Sequence, residues 1–136
     1  CKCPVYTYVD GAAASAATFL SIVGKKRFIY PNAYMLIHQI SSGFGGKYEE
    51  FKDEMENYNA LMEHMTGIYS SFTTMPKGTL KGLLKRDLWL PAEKCVKWGL
   101  VDEICGPKMP GTKRGKKVSK KRAKAGKKIG RKKKTQ

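Results

Sequence analysis

The chain has 136 residues, with 27 Lys or Arg against 11 Asp or Glu and a net charge of +16. That length holds one domain with a real core and excludes two ordinary ones. Residues 106 to 136 carry 15 of the 27 basic residues and no acid, while the body has 12 basic residues against 11 acids, so the overall charge does not argue for a nucleic-acid-binding fold. Cys1, Cys3, Cys95 and Cys105 form no C-x-x-C pair and have no His at metal-ligand spacing. They read as reduced thiols suited to a compartment such as the cytosol, with a Cys95 to Cys105 bridge left open. No metal or cofactor is implied, and no run approaches the roughly 18 apolar residues of a membrane span. No signal peptide is visible. The first residue is Cys and the chain opens into a strand-like run, so the sequence is expected to begin mid-protein.

Val5 to Val9 is rich in β-branched and aromatic residues without helical period, which predicts a buried strand ending at Asp10-Gly11. The Ala-dominated stretch Gly11 to Val23, with Phe19, Leu20 and Ile22, predicts a closely packed helix with Gly24 at its C-terminal cap. Strand, small-residue turn and helix in that order indicate an α/β architecture. Arg27 to Tyr30 predicts a strand, Pro31-Asn32 a turn, and Tyr34 to Gln39 a further apolar strand interrupted by His38. After the glycine-rich segment Ser41 to Gly46, Phe51, Met55, Tyr58, Met62, Met65, Tyr69 and Phe72 recur at alternating spacings of four and three. They form a stripe on one long helix over roughly Tyr48 to Thr73, with acids at its positive end, and suit core or subunit packing better than a cofactor box. Pro76 to about Lys85 and Pro91 to Trp98 predict two shorter helices, Gly99 a stop, and Leu100 to Ile104 a closing strand. From Gly106 onward the chain is a basic low-complexity tail, expected to be disordered alone.

In Gly11-Ala12-Ala13-Ala14-Ser15-Ala16-Ala17, small residues surround one hydroxyl at a strand-to-helix junction. Ser15 in isolation reads as a helix N-cap. Read as a nucleophile, it has the backbone N–H of Ala16 beside it to receive an oxyanion. His38 lies at the C-terminal end of an apolar strand, where α/β active sites gather; it is either a satisfied core imidazole or the base for Ser15. The acids able to orient that imidazole are Asp10, Asp87 and Asp102. Apolar neighbours Leu88, Trp89 and Leu90 suggest partial burial for Asp87 and make it the choice, whereas Asp10 and Asp102 border turns and look solvated.

These residues fall in a recognisable pattern. G-x-A-A-S-x-A at Gly11 to Ala17, K-R-F-x-x-P-N at Lys26 to Asn32, M-x-I-H-Q at Met35 to Gln39, R-D-x-x-L-x-A-E at Arg86 to Glu93 and G-L-V-D at Gly99 to Asp102 occur in one order. The chain resembles the Clp protease proteolytic subunit family over about residues 4 to 105. The resemblance implies an α/β fold of the ClpP/crotonase type in a domain over residues 1 to 105, followed by the tail. It also implies a serine endopeptidase with catalytic Ser15, His38 and Asp87 and the Ala16 amide as oxyanion donor. Implied partners are peptide or protein substrate, a homo-oligomeric ring and an AAA+ unfoldase, with Gly43 to Gly46 and the next helix as the handle that pairs rings and aligns substrate as an added strand. The expected location is cytoplasmic, or the cytoplasm of an infected host, with organelle stroma left open.

Signal-peptide peptidases share the fold but use Ser and Lys, so His38-Gln39 favours the Clp branch. A crotonase-like acyl-CoA enzyme gives no role to His38 and Asp87. The short Val23-Gly24-Lys25 stretch and the basic tail suggest a divergent, viral or phage-type member. The family's second oxyanion N–H comes from an upstream glycine-rich turn, and this sequence begins after the place for it. As given, the chain is therefore expected to be a weak enzyme or none. The alternative is a catalytically silent ring or scaffold subunit. Its tail, Lys113 to Lys134, has no aromatic residue to stack on bases and would contact nucleic acid non-specifically through phosphates, or dock on an acidic partner.

Overall fold

The computed structural model describes residues 2–106. The basic tail expected over 106–136 lies almost wholly outside the described residues, as does Cys1. Ten elements follow in chain order: β1 (Tyr6–Val9), β2 (Ala12–Ala14), α1 (Ala16–Ile22), β3 (Lys26–Ile29), β4 (Tyr34–Leu36), α2 (Tyr48–Phe72), α3 (Lys77–Leu84), β5 (Trp89–Pro91), α4 (Ala92–Lys97) and β6 (Glu103–Ile104).

The strands form two three-stranded sheets, β1-β3-β6 and β2-β4-β5, with no strand in common. β1 and β3 pair in parallel, and β6 adds parallel to the far side of β3. Beyond a break at Gly11 and at Tyr30–Ala33, β2 and β4 resume the same parallel pairing, and β5 joins β4 antiparallel. The break is bonded: the Tyr30 amide donates to the Val9 carbonyl and the Tyr34 amide to the Gly11 carbonyl. Gly11 has φ 85°, a left-handed conformation that glycine adopts without cost. Ile22, Ile29, Met35, Ile37, Leu80, Leu90 and Leu100 fill the core between these strands and the helices.

Four expectations change. The predicted helix from Gly11 begins only at Ala16, because Ala12 to Ala14 pair with Tyr34 to Leu36 as β2. Ladder bonds to a neighbouring strand override the helical preference of three alanines. The closing strand shortens to Glu103–Ile104, and Trp89–Pro91 forms a strand that the sequence did not announce. Gly24 does not cap α1 through a left-handed turn; a Cβ there would meet the Thr7 side chain at 2.7 Å, so it permits close approach of α1's end to β1. Cys3, Cys95 and Cys105 are free thiols.

The long helix is the element most legible in the sequence, since α2 spans Tyr48–Phe72. Its start is fixed by the Glu50 carboxylate, which accepts the Lys47 amide proton at 2.8 Å. Its stripe divides in two. Met62, Met65, Tyr69 and Phe72 pack against the core, whereas Phe51 and Met55, the latter 60 % exposed, project from it. Residues 40–47 carry no strand; there Phe44 packs edge-on against Phe51 with ring centroids 4.7 Å apart. Among the described residues, no helix is long and apolar enough to cross a membrane.

Candidate active site

Ser15 occupies the turn between β2 and α1 with φ 53° and ψ −127°. It is the only non-glycine among the described residues with positive φ. Such a conformation costs an L-residue about 1–3 kcal/mol and persists only where the surroundings impose it. Here they do so from both sides. The Ser15 amide donates to the Leu36 carbonyl at 3.0 Å, extending the β2–β4 ladder by one rung, and the Ser15 carbonyl accepts from the Thr18 amide and the Thr18 hydroxyl at 3.0 and 2.6 Å. Although Ser15 stands at the N-cap of α1, its hydroxyl makes no capping bond. The side chain is exposed, and Ala16 follows as the first helical residue, with an amide that no intrahelical carbonyl can receive.

A third group reaches this turn from α2. Tyr69 and Thr18 are both buried, and their side-chain oxygens lie 2.6 Å apart. Because the Thr18 hydroxyl proton goes to the Ser15 carbonyl, the Tyr69 phenol supplies the proton between the two side chains. Burial pushes the Tyr69 phenol up from its ordinary value, more than the bond to Thr18 lowers it, so it remains a donor. Sequence reasoning missed both residues: Tyr69 carried only a packing signal and Thr18 none.

His38 follows the end of β4, two residues beyond the Leu36 carbonyl that binds the Ser15 amide. It is half-buried, its side chain 22 % exposed, and Nδ1 faces Asp87 Oδ1 at 3.9 Å. Asp87 lies in the loop between α3 and β5 with its side chain 83 % exposed, not partly buried as its neighbours suggested. Leu88 and Trp89 turn outward beside it, and only Leu90 enters the core. The two loops are laced together by the Gln39 amide, which donates to the Leu84 carbonyl at 2.6 Å. The structure thus brings His38 to within 3.9 Å of Asp87, and β4, which His38 follows, to the turn carrying Ser15. Among the described residues, no hydrogen bond joins Ser15 to His38. No group of three or more His, Cys, Asp or Glu positioned for a metal occurs among them either.

Asp102 is engaged elsewhere. Its carboxylate accepts from the Arg27 amide, Nε and Nη2, the last at 2.6 Å, so it is a fixed partner and not the solvated acid expected. Arg27 is buried, its side chain 2 % exposed, and Nη1 also donates to the carbonyls of Phe72, Gly99 and Leu100. The K-R-F and G-L-V-D segments therefore meet in the fold, although neither contributes to the Ser15 turn.

The sequence model of the Clp protease family matches residues 1–108. The chain belongs to the Clp protease family. A curated relative, the ATP-dependent Clp protease proteolytic subunit of Deinococcus radiodurans, is 31% identical over 105 residues, covering 76% of this chain and 52% of the relative. The chain thus spans about half the length of that relative. The mixed α/β architecture is consistent with the Clp protease fold.

Proposed function

We propose that the chain supplies the catalytic residues of a serine endopeptidase of the Clp type. Ser15 Oγ attacks the peptide carbonyl while His38 Nε2 takes its proton, and the Ala16 amide receives the oxyanion. His38 then returns the proton to the leaving amine, and water releases the acyl-enzyme. Asp87, facing Nδ1, holds the imidazole in the tautomer that leaves Nε2 free for the serine. The separation of 3.9 Å exceeds a hydrogen bond, so the exposed Asp87 loop closes by about 1 Å when substrate binds, as catalytic contacts in free enzymes commonly do.

The observation that carries this reading is the Ser15 turn. An unbonded, exposed hydroxyl on a strained strand-to-helix turn is costly as structure and useful as a nucleophile. On this reading the chain is one subunit of a cytoplasmic ring that works with an ATP-driven unfoldase on peptide or protein substrate, and the exposed apolar half of α2 offers a surface for such assembly. Fluorophosphonate labelling of the full-length protein tests the chemistry. The expected adduct maps to Ser15, is absent in Ser15→Ala, and forms at least about a hundredfold more slowly in His38→Ala. A folded protein that takes no label at Ser15 ends the peptidase reading.

The exposure of Asp87 and its distance from His38 favour one alternative, a silent ring or scaffold subunit whose basic segment Lys113 to Lys134 binds nucleic acid or an acidic partner. That reading expects no label at Ser15, together with a salt-sensitive shift of duplex DNA that disappears when residues 106–136 are deleted.

A further inference from the structure

Between α2 and α3 runs a groove of about 710 Å³, of the size that takes a small ligand or a few side chains. Met62 and Leu84 give it an apolar lining, and Lys77, Lys81 and Lys85 line its α3 side. The three lysines recur at every fourth residue and therefore share one face of α3. None of them forms an ion pair with an acid among the described residues. Only Glu63 opposes them across the groove, and the sequence from 64 to 86 contains four basic residues and no acid, in a body whose charges otherwise nearly balance. Helix polarity accounts for cations near the C-terminal end of α3, but Lys77 stands at its first position, where the helix field repels a cation.

The groove also adjoins the candidate active site. Gln39, which lines it, follows His38 and is bonded through its amide to Leu84; Lys85, which lines it too, stands two residues before Asp87. We propose that this groove binds the acidic part of a peptide, an Asp or Glu within a few residues of the cleaved bond, with the α3 lysines holding the carboxylate and Met62 and Leu84 the flanking apolar side chain. As a substrate subsite it rests on the peptidase reading; as a peptide-binding groove it is tested separately. The chain's own basic segment is repelled by the same lysines and is not the occupant.

The test is fluorescence anisotropy of two labelled peptides, identical except for Glu or Gln at two positions, against the full chain carrying Ser15→Ala to prevent turnover. The Glu peptide is expected to bind about tenfold more tightly at low ionic strength, the effect of two partly exposed ion pairs, with the preference fading as salt is raised. Adding Lys77→Gln and Lys81→Gln, both exposed and remote from the core, should lower the Glu-over-Gln ratio severalfold relative to the parent protein, and Lys77→Glu with Lys81→Glu should lower it further. Attraction to residues 106–136 is common to all these proteins and cancels in the comparison. An unchanged ratio in the Gln variants, with circular dichroism confirming the fold, overturns the proposal. If Ser15 takes the fluorophosphonate but the ratio is unchanged, only the groove assignment falls. If the ratio responds but Ser15 is inert, the groove binds acidic peptide and the peptidase reading falls.

Discussion

Ser15 holds a conformation that glycine would hold more cheaply, which gives the residue two separable effects. Replacement by Gly removes the hydroxyl and the steric conflict together, whereas replacement by Ala removes the hydroxyl alone. Chemical denaturation should therefore find Ser15→Gly more stable than Ser15→Ala by about 1 kcal/mol, with both proteins inert to fluorophosphonate. Equal stabilities would mean that the turn is relaxed and that its geometry says nothing about function. Cys95 is the opposite kind of residue, a nucleophile by type that the fold silences. It is fully buried, and burial above all pushes its thiol from 9.0 to about 12. The folded protein favours the protonated thiol, so this contribution to stability is complete below about pH 9 and is lost as pH rises from there towards 12. A thiol reagent at neutral pH is expected to modify exposed Cys3 quickly and Cys95 only on unfolding. Rapid modification of Cys95 in the folded protein would contradict its burial.

At the scale of elements, the β3–β6 pair is tied together by Arg27 and Asp102. The guanidinium links Asp102 to the last turn of α2 through the Phe72 carbonyl and to the end of α4 through Gly99 and Leu100. Removing the carboxylate strands a buried cation, which costs about 3–5 kcal/mol where both partners are enclosed and about 3 here, since Asp102 is 30 % exposed. The urea midpoint of Asp102→Ala should fall accordingly, and a loss below about 0.5 kcal/mol would place this pair among surface ion pairs. This contact also shows what the sequence withheld. Arg27 and Asp102 are 75 residues apart, and nothing local to Asp102 distinguishes a bonded acid from a solvated one. The α2 helix was legible because its stripe repeats over seven positions. The β2 strand was not, because three alanines favour a helix until a neighbouring strand engages them. Ser15, His38 and Asp87 stood out by motif and order. The burial expected for Asp87 did not hold, because side-chain direction in a short loop is set by the tertiary packing of Leu90 alone.

Across the described residues, apolar surface is unevenly distributed. The C-terminal half of α2 packs on the core, while Phe44, Tyr48, Phe51 and Met55 leave a continuous apolar face projecting from it. Contiguous apolar surface of this kind marks a surface for association, and the proposed ring assembly gives it an occupant in further copies of the chain. Because these residues hold no part of the core, changing them separates assembly from folding. Phe51→Glu with Met55→Glu is expected to shift sedimentation of the full-length protein towards smaller species, with the helical signal and the urea midpoint of the body nearly unchanged. The new carboxylates would also join Glu49, Glu50, Asp53 and Glu54, setting like charges against each other wherever two such helices approach. An assembly of the same size in the double variant would show that copies of the chain meet through another face, and the exposed half of α2 would need a different partner.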